Sequence, residues 1–238
     1  MPVRLHIPVI QFAWCLLFLV PYLPAQTPEP TPYNHTVMGH FNFVSASRLF
    51  LDPFSGNPVR QNQSIELGSN LSYGIEYLYR LQPGVQLAAA AEYASNTTTS
   101  KDPFGTRIED GFELILLEMS GLFTLPFSSE DIRFYLGGGI GGYLGWRNYT
   151  VGTTASHSVN YEPSVGIHVI TGLAYYPISR LSIHVEFRFR DPQVTAYNEF
   201  DTDTEIINGR TYHFPTTPLP SRINLNGNVY SLGVGFHF

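Results

Sequence analysis

Charge is scarce in this chain of 238 residues. Asp, Glu, Lys and Arg make up 13% of it, against about 25% in soluble domains. Lysine occurs once, at Lys101. Thirteen Lys and Arg against nineteen Asp and Glu leave a net charge of −6, which gives no electrostatic footprint for nucleic acid. Cysteine also occurs once, at Cys15, so no internal disulfide and no thiolate metal site is expected. After the first 25 residues no apolar run approaches the roughly 20 residues of a membrane-spanning helix. Phosphate-cradling glycine loops, zinc-ligand spacings and haem motifs are missing, so no cofactor and no metal site is expected.

Aromatic residues and alternation are plentiful. Fifteen Tyr, seventeen Phe and two Trp bring the aromatics to 14%. The N-terminus carries one cation, Arg4, then a mostly apolar run over 7–20, then Pro21, Pro24 and Ala25. This is the order of a secretory signal, and it predicts a signal peptide over 1–25. Pro28, Pro30 and Pro32 make 26–35 a stiff linker. The remaining residues, 36–238, suffice for one domain.

Within that domain the spacing predicts eight strands: Thr36–Phe50, Ser64–Leu81, Val85–Ser95, Phe112–Leu125, Ile132–Trp146, Tyr161–Tyr176, Leu181–Arg190 and Arg222–Phe238. Side chains of a strand alternate between its two faces. In the seventh segment Leu181, Ile183, Val185, Phe187 and Phe189 share one face, and Ser182, His184, Glu186, Arg188 and Arg190 share the other. In the last, Tyr230, Leu232, Val234, Phe236 and Phe238 oppose Ser231, Gly233, Gly235 and His237. The first, fourth and sixth segments alternate less cleanly. Connections alternate in length. Those over 51–63, 96–111, 147–160 and 191–221 are long, and those over 82–84, 126–131 and 177–180 are short. A soluble eight-stranded barrel that encloses a ligand turns its bulky apolar faces inward. Here the other face holds Gly, Ala and charge, so the apolar faces are expected to point outward into lipid.

Even strand number, short turns at one end, long loops at the other and an outward apolar band are the marks of a membrane barrel. The chain resembles the small eight-stranded bacterial outer-membrane barrels, the group of the OmpA transmembrane domain, OmpX and OmpW. The resemblance covers residues 36–238 and lies in this architecture and in the ending Tyr230–Phe238. It implies an all-β, antiparallel, up-and-down transmembrane barrel in a Gram-negative outer membrane, with both chain ends periplasmic. It implies contact with outer-membrane lipid and lipopolysaccharide. It also implies that the row Tyr230, Leu232, Val234, Phe236 and Phe238 is the signal read by the barrel assembly machinery.

The inward rows carry Glu76, Glu92, Glu118, Arg133, His168, His184, Glu186 and Arg188. A barrel of eight strands is narrow enough for side chains to fill it, and buried charges there must pair. A structural ion-pair network is favoured over a gated or proton-conducting path. The inner glycines of the fifth segment, Gly137, Gly139, Gly141 and Gly145, either relieve crowding or open a narrow water cavity. Few small barrels are enzymes. Those that modify lipid A place a His and a Ser together, and His157-Ser158 departs from the deacylase spacing. No catalytic residue is therefore assigned. The acidic stretch Glu199–Glu205 lacks the spacing of a calcium loop. The expected function is a non-catalytic envelope or surface protein whose external loops meet host or envelope ligands. The alternatives are a narrow channel for small solutes and a lipid A-modifying enzyme.

Overall fold

The structure, a computed structural model, describes residues 33–225 and 227–238. The expected signal peptide and most of the linker lie outside the described residues. The described chain contains β1 (His35–Phe50), a single helical turn α1 (Pro58–Gln61), β2 (Ser64–Gln82), β3 (Val85–Lys101), β4 (Arg107–Thr124), β5 (Ile132–Val151), β6 (Thr154–Glu162), β7 (Ser164–Ile178), β8 (Leu181–Arg190), β9 (Gln193–Phe200), β10 (Thr204–Ile207), β11 (Arg210–His213), β12 (Leu219–Leu225) and β13 (Gly227–His237).

Eight of these strands close a ring. β1, β2, β3, β4, β5, β7, β8 and β13 pair in that order, and β13 returns to β1 from Thr36↔His237 to Val44↔Val229. Every pairing is antiparallel. The backbones of His35 and Phe238 exchange hydrogen bonds of 3.2 and 2.9 Å, so both ends of the described chain meet at one rim, the terminal end. The short turns of the ring lie at this rim.

At the opposite rim, the hairpin end, the wall continues. β6 follows β7's line across Pro163, β9 follows β8's line across Asp191 and Pro192, and β12 runs into β13. β6 pairs with β5 and β9, β9 with β12, and β12 with β1 from Ser47↔Leu225 to Phe50↔Arg222. Proline lacks the ladder N–H, which explains two of the breaks. Three of the four expected long connections are therefore largely strand. β3 and β4 run on to Lys101↔Arg107, and β5 and β6 to Val151↔Thr154. The connection over 191–221 holds β9, the β10–β11 hairpin and the start of β12. β5 is 20 residues long, whereas a tilted strand crosses a bilayer in about 10. The wall thus extends well past an apolar band.

That band encircles the terminal half. Phe41, Leu71, Ile75, Met119, Ile140, Ile167, Val185 and Leu232 are all exposed large apolar side chains on its outer face. Tyr77, Tyr79, Tyr175 and Phe238 stand outward near its lower edge and Tyr73 and Tyr230 near its upper edge, as in interfacial aromatic girdles. Alternation in β1 is clean up to Val44 and then shifts. A bulge between Val44 and Ser47 moves the inward positions from even to odd numbers, so Leu49 points inward. One extra residue reverses every later side chain.

The interior departs from expectation in one respect. Its hairpin half holds an apolar cluster, in which Leu49, Phe112, Leu114, Leu116, Val194, Ile223 and Leu225 are buried with Tyr143, beside the buried pair Arg147–Asp110 and the buried Asn198. A second cluster, with Met38, Leu78, Leu122, Tyr135, Ile170 and Tyr176, lies toward the terminal end. The inner glycines make room for this filling. A Cβ on Gly141 would stand 2.5 Å from the Tyr143 hydroxyl oxygen, and one on Gly172 would stand 2.5 Å from Cζ of Tyr135. Overpacking of this kind costs about 1–3 kcal/mol. Gly172→Val is therefore expected to lower the stability of the folded barrel by that amount in urea unfolding, with an unchanged midpoint contradicting the packing described.

Candidate functional site

Between the two apolar clusters lies a layer of buried charge. Four inward carboxylates reach it: Glu76 from β2, Glu92 from β3, Glu118 from β4 and Glu186 from β8. Two guanidiniums, Arg188 and Arg190, reach it from β8, because residues two apart on a strand share a face. All six are at most 4% exposed. Arg188 is the hub. Its Nη1 donates to Glu118 Oε2 at 2.5 Å, and its Nη2 donates to Glu76 Oε2 at 3.2 Å and to Glu186 Oε2 at 3.1 Å. Arg190 donates to Glu118 Oε1 at 3.0 Å and to Glu92 Oε1 at 2.5 Å. The Ser72 hydroxyl donates to Glu92 at 2.6 Å. Tyr143 donates to Glu118 at 3.4 Å.

The terminal side of the layer is met by a file of hydrogen-bonding side chains. Tyr135 donates its hydroxyl proton to Glu186 Oε1 at 2.7 Å and lies 3.3 Å from His184 Nδ1. His184 Nε2 is 2.8 Å from the Ser182 hydroxyl, which is 2.8 Å from His237 Nε2. His237 Nδ1 is 2.7 Å from the Thr36 hydroxyl at the rim.

The structure places all eight sequence-selected lumen residues in the interior, each at most 4% exposed. It brings Glu76, Glu118, Glu186 and Arg188 into direct contact, joins Glu92 through Arg190, and joins His184 through Tyr135. His168 bonds Ser120 at 2.7 Å, with its other nitrogen 3.9 Å from Glu118. Arg133 sits nearer the terminal end, with its guanidinium 4.3 Å from the Tyr176 ring centroid. Arg190, Tyr135, Ser182 and His237 were not selected, although the alternation already put each of them on an inward row. What sequence could not supply was their partners: Thr36 and His237 are 201 residues apart.

The hairpin end offers no comparable constellation. His157 and Ser158 are neighbours on β6 and so project to opposite faces, and His157 lies 3.2 Å from Asp201. Among the described residues no group of three or more His, Cys, Asp or Glu side chains converges on a point as metal ligands would. The β10–β11 hairpin is folded down rather than loose. Ile207, Phe200, Phe214 and Val151 form a buried cluster, the Arg210 guanidinium lies 3.8 Å from the Phe104 ring centroid, and Tyr212 donates to Asp102 at 2.5 Å. That hydrogen bond holds the Asp102 carboxyl below its ordinary range. One slit interrupts the wall. β5 pairs with β7 up to Tyr143↔Ser164 and with β6 only at Thr150↔Ala155 and Val151↔Thr154. Between them Asn198 Nδ2 donates to the Arg147 carbonyl at 2.8 Å and the Ser156 hydroxyl to the Tyr149 carbonyl at 3.0 Å. The rings of Trp146 and Tyr161 meet across the slit at 5.6 Å.

Removing one member of a buried ion network costs about 3–5 kcal/mol, because its partners are left buried and unpaired. Arg188→Met is expected to destabilise the folded barrel by that amount. Arg48→Ala, which breaks an exposed pair with Glu66 at 3.1 Å, is expected to change it by less than about 1 kcal/mol. Equal effects of the two in urea unfolding would contradict the assignment of Arg188 as hub.

No protein-family model matches the chain, and no curated protein matches it. Solved structures do. The outer membrane protein OprG from Pseudomonas aeruginosa superposes with a TM-score of 0.60 at 12% identity, covering 88% of this chain and 98% of that one. Neisserial surface protein A aligns at a TM-score of 0.45 and 17% identity, over 86% of this chain and 97% of that one. The likeness to OprG shows the fold: this chain has the architecture of a small outer-membrane β-barrel.

Proposed function

We propose that this chain is an integral outer-membrane barrel of the Gram-negative type that does not conduct solutes and does not catalyse a reaction. In this reading the terminal end is periplasmic and the hairpin end external. The apolar band sits in outer-membrane lipid, and the extended wall with its folded β10–β11 hairpin is a rigid platform facing outward. Lipopolysaccharide surrounds the extension, and host or envelope molecules are its ligands. Function on such proteins resides in the connections that a rigid scaffold holds.

The observation that carries this reading is the filling of the lumen. A paired charge layer lies between two apolar clusters, the inner glycines are occupied by Tyr135 and Tyr143, and the slit beside β5 is bridged by Asn198 and Ser156. A channel needs a continuous polar path, and the cluster around Phe112, Leu114 and Ile223 supplies none. Purified barrel in planar bilayers is expected to give no single-channel steps. Reproducible steps abolished by Glu186→Gln would replace this reading with the channel.

The outward row Tyr230, Leu232, Val234, Phe236 and Phe238 stands exposed along β13, beside the closing strand β1. We read it as the segment by which the assembly machinery takes up the chain. Deleting Phe238 is expected to lower outer-membrane levels and leave precursor in the periplasm. Full assembly after that deletion combined with Phe236→Ser would remove this role.

A further inference from the structure

The charge layer does not balance. Glu76, Glu92, Glu118 and Glu186 supply four carboxylates, and Arg188 and Arg190 supply two guanidiniums. Arg147 is committed elsewhere, to Asp110 at 2.6 Å, and Arg133 lies over Tyr176. If all four carboxylates were ionised, a formal charge of −2 would sit in a buried compartment with an apolar cluster on its hairpin side. An uncompensated buried charge costs several kcal/mol, and such a site neutralises itself instead. Glu76 and Glu186 are the crowded pair, because both lean on one nitrogen, Nη2 of Arg188, at 3.2 and 3.1 Å. Glu76 Oε1 is buried with no hydrogen-bond partner, although Glu76 is only 2% exposed. Glu118, Arg188 and the Tyr135 hydroxyl also face this pair, and His184 faces Glu186.

The file from the rim to this pair has a single polarity. The Tyr135 proton points to Glu186, which leaves its oxygen to accept from His184 Nδ1–H. His184 Nε2 then accepts from Ser182, Ser182 accepts from His237 Nε2–H, and His237 Nδ1 accepts from Thr36. With both imidazoles neutral, both tautomers follow from the network once the Tyr135 proton is placed. Every donor is then aimed inward. His237 is faced by His184, Arg80, Arg133 and the Tyr176 ring.

We propose that the Glu76–Glu186 pair is a proton-binding site that exchanges with the aqueous phase at the terminal end through Thr36, His237, Ser182, His184 and Tyr135, and that it is sealed toward the hairpin end. Thr36 Oγ takes a proton from water and passes its own hydroxyl proton to His237 Nδ1. His237 releases its Nε2 proton to Ser182, Ser182 passes its own to His184 Nε2, His184 passes its Nδ1 proton to Tyr135, and Tyr135 passes its own to Glu186. Each link breaks one bond to hydrogen and forms one. One proton leaves the water, and one carboxylate becomes a carboxylic acid. Beyond Arg190 and Glu92 the lining is the apolar cluster of Phe112, Leu114, Leu116, Val194 and Ile223, and the buried Asn70, one inward position past Ser72, makes no side-chain hydrogen bond that would carry the file on. The layer is thus a one-sided proton well. This goes beyond the platform reading and holds whichever ligand the platform meets.

Infrared spectroscopy of the barrel folded in phosphatidylcholine vesicles tests it. At neutral pH the wild type is expected to show the carbonyl stretch of a buried carboxylic acid, and Glu76→Gln and Glu186→Gln are expected to lose it. Transfer into D₂O is expected to shift that band in the wild type, and Ser182→Ala to slow the shift by about tenfold, the equivalent of one hydrogen bond lost from the path. Tyr135→Phe, which keeps the ring, repeats the break at a second link. Resistance of each folded variant to SDS before boiling checks that the barrel has formed. Absence of the band, its survival in both Gln variants, or its replacement by a protonated His168 signal in NMR would each overturn the site. Unslowed exchange in both Ser182→Ala and Tyr135→Phe would overturn the path.

Discussion

The interior of this barrel is organised by Arg188. One guanidinium touches three carboxylates on three strands, Glu118 on β4, Glu76 on β2 and Glu186 on its own β8. β8 and β4 are not neighbours in the ring, so the contact crosses the lumen. A charge held this way fixes the distance between opposite walls. The remaining interior follows from that distance. Tyr135 and Tyr143 lie across backbone that must be glycine, at Gly172 and at Gly141 and Gly166. Arg190 carries the same network up one step to Glu92, and the apolar cluster on the hairpin side closes it there. A paired buried charge is not by itself a source of stability. Its contribution here is register, since only one alignment of β2, β4 and β8 lets all three carboxylates reach one guanidinium.

Much of the ring was legible because membrane barrels write one face in large apolar residues. β8 alternates from Leu181 to Arg190 without exception, and its neighbour β13 does the same from Tyr230 to Phe238. Two of the three less regular segments, the first and the fourth, have a physical cause in the structure. In β1 the bulge after Val44 exchanges the two faces. In β4 Phe112, Leu114 and Leu116 point inward to the apolar cluster while Ile115, Leu117 and Met119 point outward. Apolar residues on both faces erase the alternation, and only the tertiary structure shows why. The breaks at Pro163 and Pro192 coincide with strand ends, but prolines do not reveal that the wall resumes beyond them.

The candidate site was legible as a row and not as a network. Inward position could be read from period two, and it collected Glu76, Glu92, Glu118, His168, His184, Glu186 and Arg188. Which of these touch depends on cross-lumen distances that no local pattern encodes. Arg133 shares the period but sits a layer nearer the rim, over Tyr176. Arg190 lies at the last position of β8 on its inward row, but its partners Glu118 and Glu92 are 72 and 98 residues away in the chain. The loops are hard to read for a related reason. Stretches rich in Thr, Asn, Ser and Gly read as connections, yet Asn96–Lys101 and Arg107–Gly111 pair in register from Asn96↔Phe112 to Lys101↔Arg107.

The central claim is that the lumen is closed by its own side chains, with a hydrogen-bonded file running from the terminal rim to the charge layer and the cluster of Phe112, Leu114, Val194 and Ile223 blocking the path beyond it. An experimental structure at a resolution that shows ordered water along the barrel axis tests this most directly. The account predicts water no further than the side of the charge layer that faces Thr36 and His237, with none threading between Phe112, Leu114, Val194 and Ile223. A continuous file of water from Thr36 through that cluster to Asn198 would contradict it.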